Sequence, residues 1–231
     1  MFARRRQATS EPGSGPAPTT QPVTLTATGV GKEIDGNVLL RPVDVAVTSG
    51  QCVVLRGENG SGKTTLLRIL AGTLEPSSGS ATLDGQQLDE RNPTTRARVG
   101  ALIGSPTAYR DLTLIDHLVL IDSTWGGDIG TADDRADAML AELEVDHLSE
   151  RFPHELSSGQ QHLFHLAMAL FRPAQVLLLD EPEQRLDTHK RGLLTDILLA
   201  RKAAGTALVV ACHDPTMTAA IGDLVVDVAL V

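Results

Sequence analysis

The stretch Gly57-Glu58-Asn59-Gly60-Ser61-Gly62-Lys63-Thr64-Thr65 is a full match to G-x-x-x-x-G-K-[ST], the phosphate-binding P-loop. It constrains the fold because it functions only between a strand and a helix. The run Gln51–Arg56 before it is short, apolar and rich in β-branched residues. The segment Thr64–Ala71 after it reads as the start of a helix. Glycines let backbone N–H groups approach an anion without Cβ obstruction, and a helix N-terminus adds partial positive charge. Gly57, Asn59, Gly60, Ser61, Gly62, Lys63, Thr64 and Thr65 are therefore the expected phosphate-binding set. Lys63 has the reach for the outer phosphates, and the Thr64 hydroxyl suits Mg²⁺.

The rest of the chain narrows what surrounds this loop. With 231 residues, 42% of them hydrophobic, there is enough chain for one well-buried domain with a subdomain inserted. Runs such as Val176–Leu179 and Ala207–Cys212 are strand-sized, short of the about 18 apolar residues a membrane helix needs. A membrane, if involved, is then reached through a partner. The net charge of −9 and 3% aromatic content argue against a nucleic-acid binder, which needs a basic face or stacking rings. The two cysteines, Cys52 and Cys212, lie in apolar strand-like runs and read as buried thiols.

Residues 1–22 are rich in Pro, Gly, Ser and Thr and are expected to be a disordered tail, ahead of a domain over 23–231. Arg4, Arg5 and Arg6 have no apolar run after them, so they do not begin a signal peptide. They read as a solvated tail, or as a weak contact to an anionic membrane surface worth about 1 kcal/mol per arginine. Strands are expected at Val23–Thr28, Val38–Val47 and Gly79–Asp84, forming a small antiparallel sheet beside the phosphate-binding core. From about 105 to 172 the periodicity is helical, with apolar stripes Leu114/Leu118/Ile121, Ala136/Leu140/Leu143 and Leu163/Leu166/Ala167/Leu170. Strand character returns at Val176–Asp180, and a helix follows at Thr188–Ala203 with Gly205 at its end. Further strands are expected at Thr206–Cys212 and Asp223–Val231. Nearly all-apolar strands alternating with helices point to an α/β fold with a mostly parallel sheet.

Two further motifs carry chemistry. Val176–Leu179 runs into Asp180-Glu181, four aliphatics ending in acids. In a parallel sheet such a strand end faces the ligand crevice. Asp180 is placed to meet Mg²⁺, and Glu181 to orient or deprotonate an attacking water. Leu156-Ser157-Ser158-Gly159-Gln160 offers N–H and hydroxyl donors at a helix start. At this point the chain resembles the ATP-binding cassette (ABC) ATPases, whose signature is close to LSGGQ; Ser158 replaces a glycine. The resemblance covers about residues 23–228. It implies a RecA-like P-loop NTPase core with an antiparallel β subdomain and an inserted helical subdomain. It implies that Ser157, Ser158, Gly159 and Gln160 contact the nucleotide of a second subunit, that Asp187 belongs to the segment after the acids, and that His213 contacts the γ-phosphate. It further implies ATP and Mg²⁺ as ligands, head-to-tail pairing of two cassettes, and a transmembrane permease on another chain. The location implied is the cytoplasmic face of the membrane. A soluble ABC ATPase outside transport, and a weakly hydrolysing regulatory subunit, are the alternatives.

Two positions depart from the family pattern. Gly104 stands where a glutamine is usual, and Ile34 where an aromatic ring stacks on adenine. Both changes remove a contact, so weaker or less base-selective binding, or slower turnover, is expected. His154, His162 and His165 lack the Cys or acid that would complete a metal site. Trp125, between two helical stripes, reads as core packing or as part of a docking surface. Restoring the missing side chain with Gly104→Gln is expected to raise the ATPase rate or its coupling in the assembled complex. Steady-state turnover that stays unchanged by the substitution would remove Gly104 as a cause of slow hydrolysis.

Overall fold

In the computed structural model, residues 22–230 are described. The expected tail therefore lies outside the described residues except for Pro22, as does Val231. The chain opens with a long hairpin, β1 (Thr24–Ile34) and β2 (Asn37–Thr48), turned at Asp35-Gly36. β1 runs past the expected end at Thr28, through bulges that shift its register after Ala27. β3 (Cys52–Arg56) then leads into the P-loop and α1 (Lys63–Leu70). Next come β4 (Ser78–Leu83), the short β5 (Gln86–Gln87), α2 (Pro93–Arg98) and β6 (Val99–Leu102). A helical stretch follows: α3 (Leu114–Thr124), α4 (Ala132–Glu142) and α5 (Ser158–Phe171), with single 3-10 turns at Asp146–Leu148 and Pro153–Glu155. The chain closes with β7 (Val176–Asp180), α6 (Thr188–Ala203), β8 (Ala207–Ala211), α7 (Pro215–Ile221) and β9 (Leu224–Asp227).

The strands form two sheets. β2-β1-β4-β5 is antiparallel, and β6-β7-β8-β3-β9 is parallel throughout. Because side chains alternate across a strand, the inner parallel strands feed two cores. Val53 and Leu55, Val176 and Leu178, and Val209 pack toward α1 and the antiparallel sheet. Cys52 and Val54, Leu177 and Leu179, and Leu208 and Val210 pack toward α3–α7. Two-sided burial explains why these strands read as continuous apolar runs. The helices are capped by the residues physics favours. Thr113 and Asp116 make a reciprocal capping box on α3, Asn92 caps α2, and Asp214 caps α7.

Several local expectations need amending. β9 ends at Asp227, short of Val231. α2, β6 and α7 were not apparent from periodicity, since each is seven residues or fewer. His117 joins the α3 core face. It is buried against Phe164, edge-on with ring centroids 5.2 Å apart. Its Nε2 accepts the Tyr109 N–H at 2.9 Å, while its Nδ1 lies 2.7 Å from the Thr113 carbonyl. Trp125 is half-buried, with the Arg172 guanidinium 4.6 Å above its ring centroid. Arg172 also donates to the Arg96 carbonyl at 2.9 Å, so it ties the end of α3 to α2. Both cysteines are buried and unpaired, and burial pushes each thiol up to about 12. Among the described residues no helix is long and apolar enough to cross a membrane.

Phe164 is fully buried where α3, α5 and the parallel sheet meet. Phe164→Ala is expected to destabilise the protein by about 3–5 kcal/mol. A urea midpoint shifted by much less would show that this core collapses around the cavity.

Candidate functional site

The site begins with three parallel strands ending at one level. Leu55 of β3 and Asp180 of β7 both pair with Ala211 of β8. The residues just beyond this row, Gly57, Glu181 and His213, therefore emerge at the same edge of the sheet.

From β3 the chain enters the P-loop. Gly62, at φ 99, caps α1 in a left-handed conformation. A Cβ on Gly62 would meet the Leu39 carbonyl at 2.5 Å, so glycine is required twice over, by φ and by the approach of β2. The Lys63 side chain is buried, and its ammonium donates to the carbonyls of Gly57 (2.8 Å) and Glu58 (3.0 Å). An ammonium carries three N–H donors, so capacity remains for an anion. The first-turn N–H groups of α1 have no intrahelical acceptor. They open onto a cleft of about 520 Å³ lined by Asn59, Gly60, Gly62, Lys63, Thr64 and Thr65, with Glu181 opposite. Ser61 is buried beneath the loop, its N–H donating to the Glu58 carbonyl at 3.2 Å and its hydroxyl without a partner.

Val38 and Leu39 form the apolar end of the cleft and are partly exposed. Ile34, at the tip of β1, is equally exposed but is not among the lining residues. The apolar wall beside the phosphate loop thus comes from β2. Its signal in the sequence was the run Val38-Leu39-Leu40, where only Leu40 is needed for the core.

On the far side, Thr64 Oγ1 donates to Asp180 Oδ2 at 2.7 Å. Burial raises the Asp180 pKa; the Thr64 hydrogen bond works against this, and the neighbouring Glu181 adds to it. A half-buried carboxylate beside a hydroxyl, at the rim of an anion cleft, fits a divalent cation, whose charge would offset the lost hydration. Glu181 sits at φ 50, a left-handed conformation rare outside glycine. Its Oε1 lies 3.1 Å from His213 Nε2. The expected acid and histidine are thus brought into contact, with Glu181 on the lining of the cleft.

The remaining expected residues are not on this cleft. Ser157 caps α5, accepting the Gln160 N–H at 3.3 Å, while the Gln160 side chain accepts the Ser157 N–H at 2.9 Å. Ser157 and Ser158 are exposed, Gly159 and Gln160 half-buried, and none of the four lines the cleft. Asp187 caps α6 through the Lys190 N–H at 2.8 Å and is also exposed. Gly104, at φ 70, has open space where a Cβ would project. A Gln there has room but pays the left-handed backbone cost, about 1–2 kcal/mol. His162 Nε2 is occupied by the Pro182 carbonyl at 2.9 Å, and burial lowers the pKa of both His162 and His165. Among the described residues no cluster of His, Cys, Asp or Glu is arranged to hold a metal ion by itself.

A family model described as ABC transporter matches residues 40–184. The chain is 32% identical over 184 residues to the Nod factor export ATP-binding protein I of Cupriavidus pinatubonensis, covering 80% of this chain and 57% of that one. It is 33% identical over 225 residues to the Arabinose import ATP-binding protein AraG 2 of Burkholderia thailandensis, covering 91% and 42%. The chain thus spans about half the length of these relatives. Its fold also matches that of a bacterial ABC transporter cassette solved as a dimer, with a TM-score of 0.79, 22% identity, and coverage of 88% of this chain and 94% of that one.

The burial of Asp180 makes a pH-dependent prediction. Its folded pKa is raised, so ionising it opposes folding, and stability is lost as pH rises through that pKa. Nucleotide-free Asp180→Asn is expected to be more stable than the parent at neutral pH. The gap should close on acidification below the ordinary carboxylate range, as followed by urea unfolding at a series of pH values. A less stable variant at neutral pH would mean that the Thr64 bond outweighs burial.

Proposed function

The chain belongs to the ABC transporter family, and we propose that it binds and hydrolyses ATP as a nucleotide-binding subunit, pairing head to tail with a second cassette to drive a separate membrane permease. The observation that carries this is the division of the expected site. The cleft is lined by Lys63, Thr64 and Glu181, with Asp180 bonded to Thr64 beside it, while Leu156–Gln160 is presented elsewhere on the surface. A second copy, turned to face the first, would bring its Ser157–Gln160 turn over the open cleft. Asp187, capping α6 at the surface, would approach the same junction. The segment from about 105 to 172 would act as the helical subdomain that carries the turn.

In this reading the P-loop amides and Lys63 hold the phosphates. Val38 and Leu39 face the base with aliphatic surface. Mg²⁺, when bound, would be held by Thr64 and Asp180 and would neutralise phosphate charge. Glu181 orients a water and takes its proton as the water oxygen bonds to the γ-phosphorus and the bond to the ADP oxygen breaks. His213, whose Nε2 lies 3.1 Å from Glu181 Oε1, holds that carboxylate in place. Closure on ATP and reopening after hydrolysis would shift the permease between its two states, because the two forms bind nucleotide differently. This work would place the chain on the cytoplasmic face of a membrane.

Glu181→Gln is expected to lower kcat by about 10²–10⁴-fold and to accumulate a dimer in the presence of ATP, measured by phosphate release and by light scattering. Unchanged hydrolysis together with a monomer at saturating ATP would overturn the proposal. Co-purification from detergent extract tests the permease, with a polytopic membrane chain as the expected partner.

A further inference from the structure

Glu183 is a buried acid that the reaction above does not use. Its side chain is 5% exposed, in the turn that joins β7 to α6. One oxygen, Oε1, accepts the backbone N–H of His213 at 2.7 Å, from a residue thirty positions away. The other, Oε2, is buried without a partner. A carboxyl group held this way costs stability, because part of its hydrogen-bonding capacity is lost with its hydration. Such a group calls for an explanation beyond packing.

The turn around it is strained. Glu181 at φ 50 and Arg185 at φ 61 are both left-handed and neither is glycine. Strain of this kind persists only where neighbours over-determine the backbone. Three contacts do so here. The Glu181 N–H donates to the Ala211 carbonyl at 2.8 Å, at the end of β8. The Pro182 carbonyl is held by His162 Nε2 of α5 at 2.9 Å. Glu183 then closes the loop by taking the His213 N–H. On the other side of His213, Asp214 is fixed as the cap of α7, accepting from Thr216 and Met217 at 2.8 and 2.9 Å. The His213 ring meets Glu181 at 3.1 Å, so the distance between the two depends on where the His213 main chain is set.

We propose that Glu183 is a positioning residue: by anchoring the His213 N–H it sets the histidine ring against the Glu181 carboxylate. This rests on the hydrolytic reading above for its consequence, but the anchoring itself does not. The bond, at 2.7 Å, is at the short end of N–H···O geometry. It also needs the full reach of a glutamate, because its acceptor must span from the β7 turn to the end of β8.

The test uses the full chain and three variants, Glu183→Ala, Glu183→Asp and Glu183→Gln. In nucleotide-free protein, hydrogen exchange at the His213 amide should accelerate by about tenfold or more in the Ala and Asp variants. It should stay close to the parent in the Gln variant, which keeps an acceptor oxygen at the same reach. With ATP and Mg²⁺, kcat should fall by about tenfold or more in the Ala and Asp variants, since misplacement of about 1 Å has such effects. KM for ATP should not move, and Gln should recover most of the rate. Because Asp keeps the charge, it separates reach from electrostatics and remains informative should Ala fail to fold. Unaltered His213 exchange in Ala and Asp overturns the anchoring. Altered exchange with parental kcat overturns the positioning role. A parent that exchanges as expected yet shows no ATPase activity at all overturns the hydrolytic reading and, with it, the consequence for catalysis, while the anchor stands.

Discussion

The structure depends on one row of backbone pairing. Leu55 and Asp180 flank Ala211 across the parallel ladder. Parallel register is set by both faces of each strand, because a slip by one residue would exchange the two cores. Here Val53/Leu55 and Val176/Leu178 face one core, and Val54 and Leu177/Leu179 the other. The register that satisfies both cores also brings three loops to the same edge at the same height. The P-loop, the Glu181 turn and His213 are then neighbours without any further adjustment. The Thr64–Asp180 hydrogen bond at 2.7 Å follows directly from that row.

What is gathered there is costly to fold. Lys63 and Glu183 are buried, Asp180 is held against burial, and Glu181 and Arg185 sit in left-handed backbone. Each would be removed by a sequence optimised for stability alone. The cost is offset by two apolar cores that contain nearly every residue of β3, β7 and β8. The helical segment adds its own layer, fastened to the rest by Arg172 at the Arg96 carbonyl and by His162 at the Pro182 carbonyl. One hydrogen bond, the second of these, therefore links the helix that carries the exposed Ser157–Ser158 turn to the turn that carries Glu181.

Elements that bury two faces, or one face at a regular period, were legible from the residues. β3, β7, β8 and α6 fall close to the expected bounds because four or more apolar residues, or a repeated helical stripe, leave one solution. The short elements did not announce themselves. β6 contains Gly100 and is four residues long, and α2 and α7 carry too few apolar residues to show a period. Asp214-Pro215 was the available cue for α7, a capping acid followed by proline at the first helical position. β1 outran its expected end because bulges break the alternation on which the reading depended.

By itself the sequence determined the inventory of chemistry: an anion loop at Gly57–Thr65, paired acids at Asp180 and Glu181, a histidine at a strand end, and a capped helix at Ser157. These are local patterns, and their meaning follows from residue type and spacing. Only the tertiary structure decided which of them meet. Asp180 finds Thr64 across 116 residues of chain, His213 finds Glu181 across 32, and Glu183 finds the His213 N–H across 30. It also decided that Ser157–Gln160 does not line the cleft that holds Lys63. The reason is that a hydrogen bond needs its partner placed to a fraction of an ångström, and that precision comes from the register of strands distant in sequence. No periodicity within a single strand or helix contains it.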